Sequence, residues 1–272
     1  EYIRVITSEL NRISSHLVWF GAFLLDLGGF TPLLYAFDDR EKILDLLEGI
    51  TGARLTYCYY RFGGLCNDVD EEFLAGTREF VKYMRPRLKM YRSLVTDNII
   101  LRKRLEDIGP ISADMCRKYG ATGPVIRGSN IPDDVRKVEP YSIYPELDFD
   151  IPHYPECDCM ARYNVRMEEM EQSLRIVEQA IAKLPEGPYI NPKVPKAVKP
   201  PAGDYYYAVE AARGRFSVRI VSDGKDIPYR MKLRTPSFGN LSLFGEACQG
   251  MLLPDALAVM GSLDLVIPDI DR

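Results

Sequence analysis

The sequence has little histidine and no excess of basic residues. His16 and His153 are its only histidines, and the formal net charge is −4. Nucleic-acid binding needs clustered Lys and Arg to neutralise phosphates, so this charge balance argues against a nucleic-acid partner. The 272 residues are nevertheless 46% hydrophobic, which allows a substantial core in one large domain or two.

Signatures of several enzyme classes are also missing. The sequence contains no G-x-S-x-G nucleophile motif, no Walker A phosphate loop and no H-E-x-x-H zinc motif. Its six cysteines are too sparse for a disulfide framework and include no Cys-x-x-Cys pair; they are Cys58, Cys66, Cys116, Cys157, Cys159 and Cys248. Reduced thiols in a cytoplasmic protein are therefore predicted.

One stretch is long and apolar. Residues 17–37 carry a single charged residue, Asp26. A membrane-spanning helix needs about 20 apolar residues, but Gly28, Gly29 and Pro32 interrupt this run just after the charge. The pattern predicts a buried helix, a sharp turn and a second buried segment in a soluble protein.

Apolar residues recur at helical spacing in several other segments. From Ile3 onward they predict a first helix that ends near Leu27. Further helices are predicted over residues 38–52, 71–105 with a kink or break at Pro86, 112–120 and 159–184. Residues 123–157 are proline-rich and aperiodic, which is typical of a loop that is functional or docks onto the protein body.

The period changes from helical to alternating after a proline-rich connector over residues 185–203. Alternating apolar residues on either side of "SDGK" predict a small antiparallel sheet within residues 204–235. This sheet is too small to bury a core of its own, and a last short helix is predicted over residues 254–262. The predicted fold class is mainly α: one domain over residues 1–272, a helical bundle with a small antiparallel β insertion.

Two acids lie in apolar surroundings. Asp26 ends the first apolar helix, and Asp264 lies in the closing stretch "GSLDLVIPDIDR". Buried carboxylates are costly unless paired, so both are candidates for proton handling or for ion pairs with arginine. We expect both acids to be buried, the tail to pack inside the helical body and Arg272 to pair with a carboxylate. His16 lies between apolar turns, where a satisfied core histidine is expected.

Seven stretches together resemble one family. They are "YIRVITSELNRISSHL", "LDLGGFTPLLYAFDDREKI", "TGARLTYCYYRFGGL", "GPVIRGSNIPDDVRKVEPYSIY", "RMEEMEQSLRIVEQ", "VSDGKDIPYRMKLRTPSF" and "GSLDLVIPDIDR". Their order over nearly the whole chain is similar to that of the D subunit of NADH–quinone oxidoreductase, respiratory complex I. That family shares its fold with the large subunit of nickel–iron hydrogenases, so the resemblance implies a helical bundle of that type.

The resemblance implies a subunit that forms much of a quinone-head-group pocket. Electrons reach quinone from the terminal iron–sulfur cluster of a neighbouring subunit, and quinone reduction drives proton pumping in the membrane arm. Asp26 matches the family's acid that pairs with a quinone-contacting histidine. Pocket positions are matched by Val18, Ala22, Asp264 and Val266.

The resemblance also implies partners and a location. The partners are the iron–sulfur subunit, other peripheral-arm subunits, a membrane-arm subunit at the quinone channel, and quinone as substrate. No cofactor or metal is expected on this chain itself. The implied location is the cytoplasmic face of the inner membrane, without a transmembrane segment. The electron donor (NADH, ferredoxin or a deazaflavin) and the quinone stay open.

Two departures from the family pattern affect the site. The family's chain begins before Glu1, and that earlier part carries the histidine and tyrosine that contact quinone. Thr56 and Arg61 fall in the loop near the partner's cluster, and Thr56 stands where some members have a histidine. A hydroxyl cannot take up a proton when the cluster is reduced. We therefore expect a pH-insensitive cluster potential, which suits a low-potential quinone such as menaquinone.

Two alternatives remain. Related hydrogenases hold nickel through cysteine thiolates near the C terminus, because nickel is a soft metal. Aligning Asp264 with that pattern puts Val266 and Asp269 where two cysteines belong, and a valine side chain has no donor atom. The large subunit of a membrane-bound nickel–iron hydrogenase is therefore the weaker alternative. The other is a redox-silent scaffold subunit, against which the retained Asp26 argues.

Overall fold

The computed structural model describes residues 1–195 and 198–271, and within them the chain forms twelve α-helices and two antiparallel sheets. The helices are α1 Tyr2–Asp26, α2 Phe30–Thr51, α3 Glu71–Tyr91, α4 Ile99–Leu105, α5 Ala113–Tyr119, α6 Pro124–Arg127, α7 Val135–Val138, α8 Cys159–Ala182, α9 Pro236–Ser242, α10 Phe244–Ala247, α11 Leu253–Leu263 and α12 Ile267–Asp271. The strands are β1 Tyr60–Arg61, β2 Gly64–Leu65, β3 Gly203–Ala211, β4 Gly214–Ser222 and β5 Arg230–Arg234. The predicted class, mainly helical with a small antiparallel sheet, is confirmed. Over these described ranges, no helix combines the length and apolarity needed to cross a membrane.

Helix α1 is the central element of the core. Its apolar residues Ile6, Leu10, Ile13 and Leu17 are fully buried, and the helix packs against α2, α8 and α11. It ends at Asp26, one residue before the predicted end. Because α1 is long and covered on most sides, it fixes the position of the few side chains on its exposed side.

Helix α2 begins at Phe30 rather than at residue 38. Pro32 lies in its first turn, where the missing N–H removes no helical hydrogen bond. Phe30 and Leu34 are 59% and 54% exposed. The prediction of a second buried segment is therefore wrong. Only one side of this turn packs on α1, where a Cβ on Gly21 would lie 2.9 Å from Leu33.

The helix predicted over residues 71–105 exists but breaks in a different place. Pro86 lies inside α3 without ending it. The break comes at a π-helical turn, Arg92–Thr96, and Asn98 then caps α4 by accepting from Ile100 N. A proline removes one backbone hydrogen bond, whereas the Asn98 side chain offers the backbone an alternative to continued helix.

The segment between α4 and α8 contains only short helices, as its proline-rich pattern predicts. Ser112 caps α5, and Gly120 ends it in a left-handed conformation, so the two lie at the ends of the helix predicted over residues 112–120. Much of the segment is buried, and Val125 and Arg127 are fully covered. A 3-10 turn, Tyr144–Glu146, completes it. The segment thus docks onto the helical body and brings buried charges with it.

The β insertion forms where it is predicted. Strands β3, β4 and β5 are antiparallel and adjacent in that order, with Val209 opposite Phe216 and Ile220 opposite Met231. Of the four helices that follow, the pattern predicts only α11. The others are too short to show the apolar repeat on which a helix prediction depends.

Candidate functional site

The outward face of α1 carries three of the predicted site residues. Val18, Ala22 and Asp26 are spaced four residues apart and therefore lie one above the other on the helix. Val18 is half-buried, whereas Ala22 and Asp26 are exposed. The expectation that Asp26 is buried is wrong for this chain, because the residue lies in the last turn of α1 on its uncovered side.

Asp264 is buried as predicted, with 8% exposure, and it lies beside the same face of α1. Arg213, in the β3–β4 turn, donates to Asp264 Oδ1 at 3.0 Å and to the Asp264 carbonyl at 3.1 Å. The same guanidinium donates to Ser15 Oγ at 3.0 Å. Ser15 precedes Val18 by one turn. One arginine thus holds the C-terminal segment against the face that carries Val18.

A second arginine approaches Asp264 without hydrogen bonding to it. Arg166 Nε lies 4.0 Å from Asp264 Oδ2, and neither atom has a hydrogen-bond partner among the described residues. The Arg166 guanidinium lies over the Trp19 ring, with Cζ 4.7 Å from the ring centroid. Burial lowers the pKa of Arg166 to about 10, so it stays charged near neutral pH. Asp264 is thus a carboxylate between two cations, and its Oδ2 is buried without a hydrogen-bond donor among the described residues.

The tail beyond Asp264 packs less deeply than predicted. Val266 is half-buried, and Ile267 is 57% exposed. Thr235 Oγ1 donates to the Asp269 carbonyl at 2.7 Å, which holds α12 against the start of α9. Arg272, whose pairing with a carboxylate is expected, lies outside the described residues.

Thr56 and Arg61 lie in the loop and hairpin that follow α2, and both are exposed. Thr56 has φ of +52°, in the left-handed region. Tyr57 donates its hydroxyl to Asn11 Oδ1 at 3.2 Å. Asn11 precedes Ser15 by four residues, so this loop lies against the same face of α1. Along α1, the loop therefore packs on the N-terminal half of this face and the C-terminal tail packs near the middle of the helix. At Asp26 the face is exposed to solvent.

Two clefts flank this face. One of about 830 Å³ lies between α1, the hairpin and β3, and Asn11, Arg61 and Glu210 are among its lining residues. The other, of about 450 Å³, is mainly apolar and lies beside the α1–α2 turn. Neither cleft is lined by any of the five predicted positions on α1 and in the tail. These positions are Val18, Ala22, Asp26, Asp264 and Val266. In this chain alone these positions line no closed pocket: Ala22 and Asp26 are exposed, Val18 and Val266 are half-buried, and Asp264 is buried.

The sequence analysis missed a buried cluster of charged residues around Glu9 of α1. Glu9 accepts hydrogen bonds from Arg12 at 3.1 Å, Arg136 at 3.1 Å, Tyr144 at 2.6 Å and Ser173 at 2.7 Å. Burial by itself raises the pKa of Glu9, but the two guanidinium groups outweigh it and hold the pKa at about 2. Glu9 is therefore a permanently charged core residue near neutral pH.

A second buried cluster joins α1, α6, α8 and β3. Arg127 contacts Glu169 and donates to Glu210 at 2.9 Å. His16 Nε2 lies 2.8 Å from Glu169 Oε2, while His16 Nδ1 is buried without a partner among the described residues. The predicted satisfied core histidine is thus satisfied at one nitrogen only. Burial and nearby Asp134 raise the pKa of Glu210 to about 7.

A signal for these clusters exists in the sequence. Glu9 lies between Ile6, Leu10 and Ile13, at a position that the helical period assigns to the core. A charged residue at such a position implies a buried cationic partner. The partners cannot be identified from periodicity, because Arg136 and Arg127 lie in the aperiodic segment.

Known proteins resemble the chain over its whole length. Residues 26–199 and 192–272 match the family described as "Respiratory-chain NADH dehydrogenase, 49 Kd subunit". Over its 272 residues the chain is 77% identical to the second D subunit of NADH-quinone oxidoreductase from Opitutus terrae, and it covers 68% of that protein. It is 71% identical to the D subunit from Desulfotalea psychrophila, covering 73%, and 46% identical to the D subunit from Geobacillus kaustophilus, covering 74%. The predicted family is confirmed: the chain belongs to the 49 kDa, or D, subunit family of NADH-quinone oxidoreductase, an oxidoreductase complex.

Proposed function

We propose that this chain forms one wall of a quinone site and helps to pass electrons to quinone from an iron–sulfur cluster in a neighbouring subunit. The observation that carries the proposal is the contact of Arg213 with both Ser15 and Asp264. Through it, the C-terminal segment meets the α1 face that bears Val18 and Ala22. Residues far apart in sequence thereby converge beside the α1 face on which Ala22 and Asp26 are exposed.

The chemistry of this surface suits a quinone. Val18 and Ala22 offer small apolar contacts to a quinone ring. Asp26 lies one turn beyond Ala22 on the same helix, and Arg213 holds the Asp264 carboxylate near Ser15, about one turn before Val18. Reducing a quinone to a quinol adds two electrons and two protons at the carbonyl oxygens, so hydrogen-bonding groups at fixed positions are required. Asp26 would orient a quinone-contacting histidine by accepting its N–H.

The open shape of this surface implies a second wall from another subunit. The exposed loop with Thr56 and Arg61 lies against the N-terminal half of α1 and is where we place the iron–sulfur subunit. Other peripheral-arm subunits and a membrane-arm subunit at the quinone channel complete the assembly. In this proposal the subunit is one domain of the nickel–iron hydrogenase large-subunit type. It works at the cytoplasmic face of the inner membrane, and quinone reduction drives proton pumping.

The hydrogenase alternative receives less support. Val266 occupies a position where a nickel site needs a thiolate, and a branched hydrocarbon cannot bind a metal. The half-buried Val266 instead adds apolar surface beside Asp264. A redox-silent scaffold would need neither carboxylate.

The test is Asp26→Asn in the assembled complex. Asn keeps the size of the side chain and removes the charge, and the exposed position makes a change in stability above about 0.5 kcal/mol unexpected. We expect normal assembly and at least a tenfold loss of quinone reduction, on the order of the effect of a lost partner of a catalytic group. Asp38→Asn, at an exposed position on α2, is the matched control and should keep full activity. Full activity in Asp26→Asn would instead support the scaffold.

A further inference from the structure

The part of the tail that carries Val266, residues 264–269, is held at both ends. At its first end, Asp264 follows α11 with φ of +52°, a left-handed conformation that aspartate tolerates better than most residues. Arg213 donates to both the carbonyl and the carboxylate of Asp264. One arginine therefore fixes the turn by which the chain leaves α11.

The second end of this segment is held at the N terminus of α9. Thr235 directly precedes α9, a position where a threonine hydroxyl normally accepts a hydrogen bond from the first turn of its own helix. It accepts no such bond among the described residues, and its Oγ1 donates to the Asp269 carbonyl at 2.7 Å. The Asp269 carboxylate accepts from Ser237 N at 3.2 Å in its place. The tail therefore provides the cap of α9, and α9 in return holds the tail.

The reciprocal contact between the tail and α9 is shielded from solvent. Thr235 and Ser237 are both buried, and Asp269 is half-buried. A backbone N–H that loses its acceptor at a shielded position is costly, because water cannot readily replace the lost bond. A side chain at position 269 that cannot accept a hydrogen bond should therefore loosen the tail from α9.

Both anchors belong to one unit of the fold, the β insertion and the helix that follows it. Arg213 lies in the β3–β4 turn, and Thr235 follows β5. Asn240, a buried residue of α9, connects them, because its Nδ2 donates to the Arg213 carbonyl at 3.5 Å. Its Oδ1 accepts from Thr122 N at 3.1 Å, which ties the unit to the helical body. The insertion is thus placed to set the position of the tail.

We propose that Asp269 is a positioning residue of the quinone site, through which the β insertion and α9 hold Val266 in the wall of that site. Val266 lies between the two anchored residues, so Asp269 acts through the tail and not by contact with quinone. A tail held at one end only has more freedom, and ordering it when quinone binds costs conformational free energy. The inference rests on the proposed function, because it assigns a further residue to that same site.

A positioning role of this kind predicts a specific kinetic signature. The apolar contact of Val266 with a quinone ring is the same before and during reduction, because no proton or electron passes through it. Loss of such uniform binding raises KM and leaves kcat unchanged. A general loss of structure would instead lower kcat together with the amount of assembled complex.

The experiment makes two measurements on Asp269→Ala. Hydrogen–deuterium exchange of the full chain, followed by mass spectrometry, reports how firmly the tail and α9 are held. Steady-state kinetics of the assembled complex give kcat and KM for a short-chain naphthoquinone. We expect the amides of α9 and of the tail to exchange roughly fivefold faster, as after the loss of a helix cap. KM should rise about threefold or more, with kcat within about twofold of the original value.

Three further variants separate the anchor from other effects of the substitution. Asparagine keeps an acceptor oxygen and is an equally good cap, so Asp269→Asn should restore most of both values. Thr235→Val removes the other hydrogen bond of this anchor with little change in shape, and it should show the same two changes as Asp269→Ala. Asp271→Ala is the matched control, since it removes an exposed carboxylate from the same helix, α12, and should behave like the original protein.

The positioning role is overturned if Asp269→Ala leaves exchange of the tail unchanged, if exchange becomes faster while KM stays the same, or if Asp269→Asn behaves like Asp269→Ala. Asp26→Asn distinguishes this failure from a failure of the proposed function. If Asp26→Asn loses quinone reduction and Asp269→Ala keeps the original KM, the quinone site stands and only the positioning role falls. If Asp26→Asn keeps full activity, the quinone site itself is refuted, and the positioning role falls with it.

Discussion

His16 and Glu169 form a fully buried hydrogen bond, 2.8 Å between Nε2 and Oε2, that joins α1 to α8 beneath the proposed quinone surface. Burial alone raises the pKa of Glu169, but Arg127 and the bond from His16 outweigh it and hold the pKa well below its usual range. Burial lowers the pKa of His16. The pair is therefore a neutral imidazole donating from Nε2 to an ionised carboxylate. The helix that carries Val18 and Asp26 is thus anchored by charges and hydrogen bonds as well as by apolar packing.

The first prediction concerns Arg213. Arg213→Gln removes the cation that holds Asp264 and leaves a buried carboxylate facing only the more distant Arg166. We expect the free energy of unfolding to fall by about 2–5 kcal/mol, as when one partner of a buried ion pair is removed. Unfolding of the full chain in guanidinium chloride, followed by circular dichroism, measures this change.

A double-mutant cycle separates this ion pair from general packing. Asp264→Asn in the Arg213→Gln background removes the unpaired charge, so the double variant should regain part of the lost stability. If the two substitutions simply add, the contact between Arg213 and Asp264 does not hold the tail on α1.

Elements with a strong repeat could be predicted from the sequence. The bounds of α1 and α8, the cap at Ser112 and the β3–β5 sheet follow from local residue patterns that the fold keeps. The start of α2 could not be placed, because its first turns are apolar without being buried. The pattern shows hydrophobicity, whereas burial depends on what packs against the helix.

The site was predictable only in part. The family resemblance selects Asp26 and Asp264, and the structure buries one and exposes the other. The position of Asp264 against α1 depends on Arg213, a turn residue that no periodic pattern singles out. Long-range contacts of this kind need the tertiary fold, because the residues involved are far apart in the chain, as Ser15 and Arg213 are at a separation of 198 positions.

The second prediction concerns the pH dependence of stability. Burial raises the pKa of Glu210 to about 7 from a usual value of 4.5. Below pH 4.5 the group is protonated in both the folded and the unfolded chain, so this contribution to stability is fully present. As the pH rises from 4.5 to 7, the folded chain binds more protons than the unfolded chain. The free energy of unfolding should therefore fall by up to roughly 3 kcal/mol over this range.

Glu210→Gln isolates this contribution, because glutamine cannot titrate. Denaturant unfolding at intervals from pH 4.5 to 7.5 should show the decline in the original chain and a flatter profile in the variant. Glu9 acts in a separate window. Its pKa of about 2 means that its contribution is present above pH 4.5 and is lost as the pH falls further. An identical slope in both proteins between pH 4.5 and 7 would show that Glu210 does not titrate there.

The third prediction concerns Gly261, which lies where α11 crosses α1. A Cβ there would lie 2.4 Å from the Phe23 ring, and the Gly261 carbonyl accepts a hydrogen bond from Trp19 Nε1 at 2.8 Å. Gly261→Ala should therefore lower the free energy of unfolding by about 1–3 kcal/mol through overpacking.

Gly49→Ala is the matched control, since Gly49 lies in α2 with no neighbour within 4 Å of where an alanine methyl group would lie. It should be neutral or stabilising by up to about 1 kcal/mol. Equal effects of the two substitutions would contradict close packing at Gly261.

The last prediction concerns Thr56 and the cluster of the proposed neighbouring subunit. A threonine hydroxyl does not titrate near neutral pH, so the reduction potential of that cluster should not change between pH 6 and 8. Thr56→His introduces a group that can take up a proton when the cluster gains an electron. The potential should then fall with rising pH, by at most about 59 mV per pH unit for one proton and one electron. Histidine is also among the side chains that tolerate the left-handed backbone at this position.

Redox titration of the assembled complex, followed by electron paramagnetic resonance, measures both profiles. Thr56→Asn is the control, because asparagine accepts the same backbone but does not titrate. A sloping profile in the original complex would show that another group beside the cluster takes up the proton.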